Sequence, residues 1–160
     1  MTSKTELKAL TLLRSAELTH DMKTEHLRKL ASFATEVEFP QGEIIYHKGS
    51  TGKAVFLIEA GQVIIETNVP GHGNMTMNTL GPGQFFGWSS LFPSERKMAW
   101  TRAAEFTRAI AIDAAQLRST WQADHTLEYA IVRRAGKDMA NRIRATRQQL
   151  ADILASPTDT

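Results

Sequence analysis

Apolar side chains recur at helical spacing in the first 35 residues: Leu7, Leu10 and Leu13, then Leu27, Leu30 and Phe33, with no Gly or Pro from residue 4 to residue 35. Steps of three and four place such residues on one side of a helix. Two short amphipathic helices are predicted, with a break near residues 19–23 and a second start at Thr19, or at Thr24 with Glu25 behind it. From residue 36 the period changes. Short β-rich runs follow one another: Ile44-Ile45-Tyr46, Val55-Phe56-Leu57-Ile58, Val63-Ile64-Ile65, Met75 to Leu80, Trp100 to Ala104 and Ala109 to Ile112. Nine of the ten Gly and four of the five Pro fall between residues 36 and 112, among these runs. Regular short strands with Gly turns predict an antiparallel sandwich or barrel. Glu59-Ala60-Gly61-Gln62 reads as a tight hairpin, and residues 70–74 as a longer hairpin tip.

Residues 113–154 return to the helical period, with one Gly and no Pro. Leu127, Ile131, Ala135, Met139, Ile143, Thr146, Leu150 and Ile153 advance in steps of three or four. They predict one helix of about 28 residues, about 42 Å long at 1.5 Å per residue. A small β domain covers only part of such a stripe, so the remainder predicts pairing with a second copy through residues 126–154, with Leu127, Ile131, Ala135, Met139, Ile143 and Leu150 in the seam. The other faces carry Arg133, Arg134, Lys137, Arg142, Arg144 and Arg147, and the tail at residues 156–160 reads as frayed.

Composition narrows the chemistry. The 160 residues include 19 Lys and Arg against 17 Asp and Glu, a net charge of +2, and no Cys. The absence of Cys excludes disulfides, thiolate metal sites and a thiol nucleophile. No apolar run approaches membrane-spanning length and the first residues lack a signal-peptide pattern, so a cytoplasmic, non-membrane protein is expected. His20, His26, His47, His72 and His125 form no i,i+4 pair and no His-x-His, so no metal site is expected. Gly49-Ser50-Thr51-Gly52-Lys53-Ala54 lacks both the glycine spacing and the final Ser or Thr of a phosphate loop, and reads as a β-turn. No Ser has a Gly-x-Ser-x-Gly setting, and nothing points to an enzyme.

The most informative stretch runs Leu80-Gly81-Pro82-Gly83-Gln84-Phe85-Phe86-Gly87-Trp88-Ser89-Ser90-Leu91. It reads as a turn, a short strand, a Gly and a single helical turn, with Glu95-Arg96-Lys97-Met98-Ala99-Trp100 leading into the next strand. Unpaired N–H groups at a helical start and a nearby cation suit an anion, with hydroxyls from Ser89 and Ser90; a Gly-dictated corner with solvated charges is the alternative.

These segments resemble the cyclic-nucleotide-binding domain of catabolite-activator-type regulators. Phe39 to Gly49, with its Gly42-Glu43, is similar to the opening strands of that family. Phe56-Leu57-Ile58-Glu59-Ala60-Gly61-Gln62-Val63 is similar to the central hairpin, Leu80 to Gly87 to the entry of the phosphate-binding cassette, and Ala99-Trp100-Thr101-Arg102-Ala103 to the strand beyond it. The resemblance implies a mainly β fold with flanking helices: a jelly-roll-like β-roll (36–112) between N-terminal helices (4–35) and C-terminal helices (113–154), all one domain over 1–160, ending in a long dimerisation helix. It also implies a cassette at Phe86, Gly87, Trp88, Ser89, Ser90, Arg96, Lys97 and Met98, with Thr146 and Arg147 of the last helix at the positions that read the purine.

Several positions depart from the family pattern. The Glu whose carboxylate accepts the ribose hydroxyl is Trp88 here, and indole only donates. The Arg that pairs with the cyclic phosphate aligns with Lys97, and the short loop makes Arg96 a competitor. Met98 stands where Ser or Thr is common. The helix-turn-helix domain of such regulators would begin about where this chain ends, so no sequence-specific DNA binding is expected. The reading is a non-catalytic, dimeric ligand-sensing module acting on a partner protein. It has a degenerate cassette for cyclic AMP, cyclic GMP or another small anion, in a pocket between residues 86–98 and the last helix. The alternative is a ligand-free dimeric interaction protein whose pocket is filled by the Trp88 indole.

Overall fold

The computed structural model describes residues 2–155, and the tail expected to fray lies outside them. Helices α1 (Lys4–Ser15) and α2 (Thr24–Ser32) lead into β1 (Ala34–Phe39), β2 (Ile44–Tyr46), β3 (Ala54–Ala60), β4 (Val63–Val69), β5 (Gly73–Leu80) and β6 (Phe85–Phe86). A 3-10 turn (Trp88–Leu91) precedes β7 (Trp100–Ala103) and β8 (Thr107–Asp113), and α3 (Ala114–Ser119) and α4 (His125–Ala155) close the described chain. All strand pairs are antiparallel. They form two four-stranded sheets, ordered β1-β8-β3-β6 and β2-β7-β4-β5. The β-roll with flanking helices and a long final helix is thus the architecture, with eight strands among the described residues.

Successive side chains of a strand point to opposite faces, so a strand buried at every position needs cover on both. Val55 to Ile58 of β3 and Ala109 to Ile112 of β8 are such runs. Val55, Leu57, Phe85, Ile110 and Ile112 pack under the helices with Leu13, Leu27, Leu30, Leu117 and Ile131. Phe56, Ile58, Phe86, Ala109 and Ala111 face the second sheet with Tyr46, Val63 and Leu80. Small Ala109 and Ala111 leave room there for aromatic rings: Phe56 stacks on Phe86 at 4.8 Å and meets Phe39 and Tyr46 edge-on.

Helix starts follow local chemistry. The Ser3 hydroxyl accepts from the Glu6 N–H, Asp113 caps α3 through the Gln116 N–H, and Asp124 caps α4 through the Leu127 N–H. Of the two starts offered for the second helix, Thr24 is the one used. The Thr19 hydroxyl is buried in the connection and donates to the Leu13 carbonyl at 2.6 Å.

The stripe predicted along the last helix divides in two. Leu127, Ile131 and Ala135, expected in a dimer seam, are buried in the core of their own chain. Met139, Ile143 and Leu150 are exposed, Ile143 by 50%. At about 100° per residue, steps of four drift around the helix. Met139, Ile143 and Leu150 thus lie roughly 80–120° from the inward line, which continues through Asp138, Arg142 and Gln149. Gln149 reaches the second sheet, its Nε2 donating to the Thr76 carbonyl at 2.6 Å.

Because Leu127 is closed in by its own chain, Leu127→Ala is expected to lower stability by about 2–5 kcal/mol. Urea denaturation at fixed protein concentration checks this, and a loss below about 1 kcal/mol would place Leu127 outside the core.

Candidate functional site

The cassette begins where β6 ends. Strand alternation sends Phe85 to the helix side, where it stacks on Trp88 at 5.3 Å, and Phe86 to the interior between the sheets. At Gly87 the chain turns with φ 90°, and a side chain there would meet the Ala54 carbonyl at 2.8 Å, so this corner needs glycine. The 3-10 turn that follows divides its side chains. Trp88 and Leu91 join the helix-side core, while the Ser90 hydroxyl lies 3.3 Å from the Tyr46 hydroxyl at the edge of the interior. The Tyr46 hydroxyl also donates to the Ala54 carbonyl.

Lys97 completes this group. Its backbone is clamped to the turn after β2: its N–H donates to the Ser50 carbonyl and its carbonyl accepts from the Gly49 N–H, both at 2.8 Å. The side chain is thereby aimed inward, Nζ donating to Ser90 Oγ at 3.2 Å and lying 4.0 Å above the Tyr46 ring centre. Gly52 makes the space. A Cβ there would collide with Ser90 Oγ and lie 2.8 Å from Lys97 Cε. Of the two competing cations, Lys97 faces the cassette. Arg96 points outward and donates to the Gly49 carbonyl at 2.9 Å, and Met98 is 83% exposed. Arg118 of α3 steadies the turn, donating to the Ser90 carbonyl at 2.6 Å.

The site is electropositive and short of counter-charge. Among the described residues no carboxylate lies within ion-pair distance of Lys97. Burial, and after it the charge of Arg142, push the Lys97 ammonium down to about 8. Burial also lowers Arg142, opposed by its partner Asp138, and raises the Tyr46 phenol, opposed by Ser90 and the Ala54 carbonyl.

Trp88 is placed differently from the expectation that it fills the ligand pocket. It is 5% exposed in the helix-side core, and its Nε1 donates to Asp138 Oδ2 at 2.6 Å. Arg142 donates to the same oxygen at 3.0 Å and also to the Phe85 carbonyl. The α4 helix therefore grips the cassette through Asp138 and Arg142. Thr146 and Arg147, one turn further on, make no hydrogen bond to the cassette among the described residues. A cleft along α4 lies not against residues 86–98 but against residues 78–85, which form its strand-side wall. Reasoning from sequence missed Tyr46, Gly52, Arg118, Asp138 and Arg142. Only the Asp138/Arg142 spacing of four carried a local signal.

The depressed Lys97 ammonium sets a pH dependence. Below about pH 8 Lys97 is charged in both folded and unfolded chains. Above it the folded chain releases the proton while the unfolded chain holds it up to the ordinary value of 10.5, so stability rises with pH across that window. Lysine Cε resonances should show one lysine titrating near pH 8 and missing in Lys97→Met. Titration of every lysine above pH 10 would contradict the burial of this ammonium.

The profile of the cyclic nucleotide-binding domain matches residues 36–124. The chain is 32% identical over 119 residues to the CRP-like cAMP-activated global transcriptional regulator of Mycobacterium tuberculosis, covering 74% of this chain and 51% of that protein. It is 29% identical over 140 residues to the cAMP-activated global transcriptional regulator Vfr of Pseudomonas aeruginosa, covering 85% and 64%. It thus spans between about half and two-thirds of these curated relatives. Its fold is similar to that of a cyclic nucleotide-binding domain from Methylobacillus flagellatus, with a TM-score of 0.79 over 96% of this chain and 86% of that one at 19% identity. The match over most of the β-roll, together with relatives of the catabolite-activator type, shows that the chain belongs to the cyclic nucleotide-binding domain family.

Proposed function

We propose that this chain is a non-catalytic regulatory module whose cassette takes a small anionic group at Lys97 and Ser90, and takes cyclic AMP and cyclic GMP weakly. The observation that carries this reading is the half-buried Lys97 ammonium, which has a hydroxyl and an aromatic face around it and no carboxylate. A desolvated cation without a counter-ion is costly, and an anion at this position offsets the cost. Its relatives are regulators, in keeping with a binding role.

Weak cyclic-nucleotide binding follows from what the residues can do. Lys97 is a point charge and lacks the planar fork that holds a phosphate by two parallel bonds. Trp88 brings no acceptor for a ribose hydroxyl, and its only polar atom is already engaged by Asp138. A lost charge-assisted bond is worth about 1.5–3 kcal/mol. Together these departures amount to a weakening of about a hundredfold or more against a complete cassette. The ligand-free alternative rested on an indole plugging the pocket, and it loses that support with Trp88 in the helix-side core.

The module pairs with a second copy through the outer face of α4 and passes its signal to a partner protein. Val132, Met139, Ile143, Leu150 and Ile153 are all exposed, with Gly136 and Thr146 at the intervening positions of a 3-4 spacing. That spacing is the heptad pattern of a two-helix seam. Gly136, where a side chain would meet nothing within 4 Å beyond its own helix backbone, permits close helix approach.

Calorimetry with inorganic phosphate, cyclic AMP and cyclic GMP tests the site. Phosphate binding should vanish in Lys97→Met and weaken in Gly52→Ala, whose methyl displaces Ser90 and Lys97. Lys97→Arg should raise cyclic-nucleotide affinity about tenfold, the gain of about 1.4 kcal/mol expected of a second phosphate bond. Submicromolar affinity of the unmutated protein for either cyclic nucleotide would overturn the degenerate-cassette reading. For the pairing, light scattering should give the mass of two chains for the unmutated protein and of one for Ile143→Glu; a single-chain mass for both would refute it.

A further inference from the structure

A second feature lies apart from the Lys97 group. A cleft of about 570 Å³ runs along α4, between the connection after α1, the end of β5 with the turn beyond it, and the helix from residue 133 to residue 145. That stretch of helix is about 18 Å long, room for about five extended residues. One wall is the end of an edge strand: β5 pairs with β4 on one side and with no strand on the other, and its last residues, Asn78 to Leu80, line the cleft beyond the Thr76 carbonyl that Gln149 occupies. An edge strand leaves backbone N–H and C=O groups on its outer side for an added strand.

Four cations line the cleft, and they are not equivalent. Arg134 is tied into the structure, donating to the Leu18 and Ala130 carbonyls and pairing with Asp21, each at 3.0 Å. Arg142 is tied to Asp138 and the Phe85 carbonyl, yet its Nε is buried with no hydrogen-bond partner. Arg133 and Lys137, four residues apart on the same side of α4, are exposed and form no ion pair among the described residues. Facing them are Glu17 and His20. Asp21 and Asp138 already have partners, so Glu17 alone opposes two free cations and an incompletely bonded third. The site therefore favours negative charge, and its extent along α4 from residue 133 to residue 145, beside the end of an edge strand, favours an extended chain over a compact ion.

We propose that this cleft docks an acidic, extended segment of a partner protein, ion-paired to Arg133 and Lys137 and laid along the outer edge of β5 at residues 78–80. Asp138 and Arg142, which wall the cleft, are also the residues that hold Trp88 and Phe85. The docking surface thus adjoins the cassette through side chains the two share. The proposal stands whatever the cassette binds.

The test is fluorescence anisotropy of the full chain with a labelled eight-residue peptide of alternating Glu and Val, at low and at physiological salt. The peptide should bind. The double substitution Arg133→Glu and Lys137→Glu should weaken binding at least tenfold. Arg28→Glu with Arg144→Glu, which changes net charge equally but lies on exposed positions outside the cleft, should change it less than twofold. A peptide with Pro in place of Val should bind several-fold more weakly at the same charge, because it cannot pair with a strand edge. Circular dichroism of each variant checks folding. Four outcomes would overturn the proposal: no binding at millimolar peptide, equal losses in both double variants, pyrophosphate binding tenfold more tightly than the peptide and displacing it, or a fall to single-chain mass in the cleft variant. The third would indicate a small-anion site and the fourth a face covered by a second copy.

Discussion

In the sheet β1-β8-β3-β6, strands β8, β3 and β6 carry runs buried on both faces, and the other layers are arranged to satisfy that requirement. Helices close one side and the second sheet closes the other. Each inward Leu, Ile or Phe contributes about 1.5–3 kcal/mol by leaving water, so neither layer can be removed without exposing a row of them. The cassette inherits its geometry from this arrangement. It leaves β6 at the junction of the two cores, and the Gly87 corner lets consecutive residues fall on different sides of it. Trp88 is held by the helices and Ser90 by the β interior. A four-residue turn therefore touches both layers at once.

That placement makes the turn a mechanical link between the two layers. Ser90 meets Lys97 and Tyr46 through its hydroxyl and Arg118 through its carbonyl. Two residues earlier, Trp88 is held by Asp138, which is also gripped by Arg142. Two desolvated cations, Lys97 and Arg142, raise each other's cost, and one carboxylate serves only one of them. A structural role alone does not explain an inward lysine that a hydrophobic residue of similar length could replace at lower desolvation cost.

Helix α4 serves three surfaces with two faces. Its first half packs Leu127, Ile131 and Ala135 into the core. Its inward line then turns polar, where Asp138 and Arg142 meet the cassette. Its outer side carries exposed Met139, Ile143 and Leu150. A helix longer than the sheet it crosses must change partners along its length, and the residue types change where the partners do.

Much of this was legible in the residues themselves. Period and punctuation marked the strands from Ile44 onward, the Gly61 hairpin, the tip at residues 70–74 and a final long helix, because alternation and helical spacing are local properties of a chain. The motif running into Gly87 marked the cassette, since its corner demands glycine. Strand β1 was not marked, because Ala34 to Phe39 mixes polar and apolar residues at an edge and directly follows a helix. The stripe on α4 was read as one surface although it was two, since steps of four drift out of line only over several turns. Nor did the residues alone tell Lys97 from Arg96, bring Tyr46 and Gly52 to the cassette, or turn the Trp88 indole away from it. Spacing records which side chains share a face. What covers that face, and which charge comes to lie beside which, depends on distances through space between segments far apart in the chain, and those are set only when the layers pack.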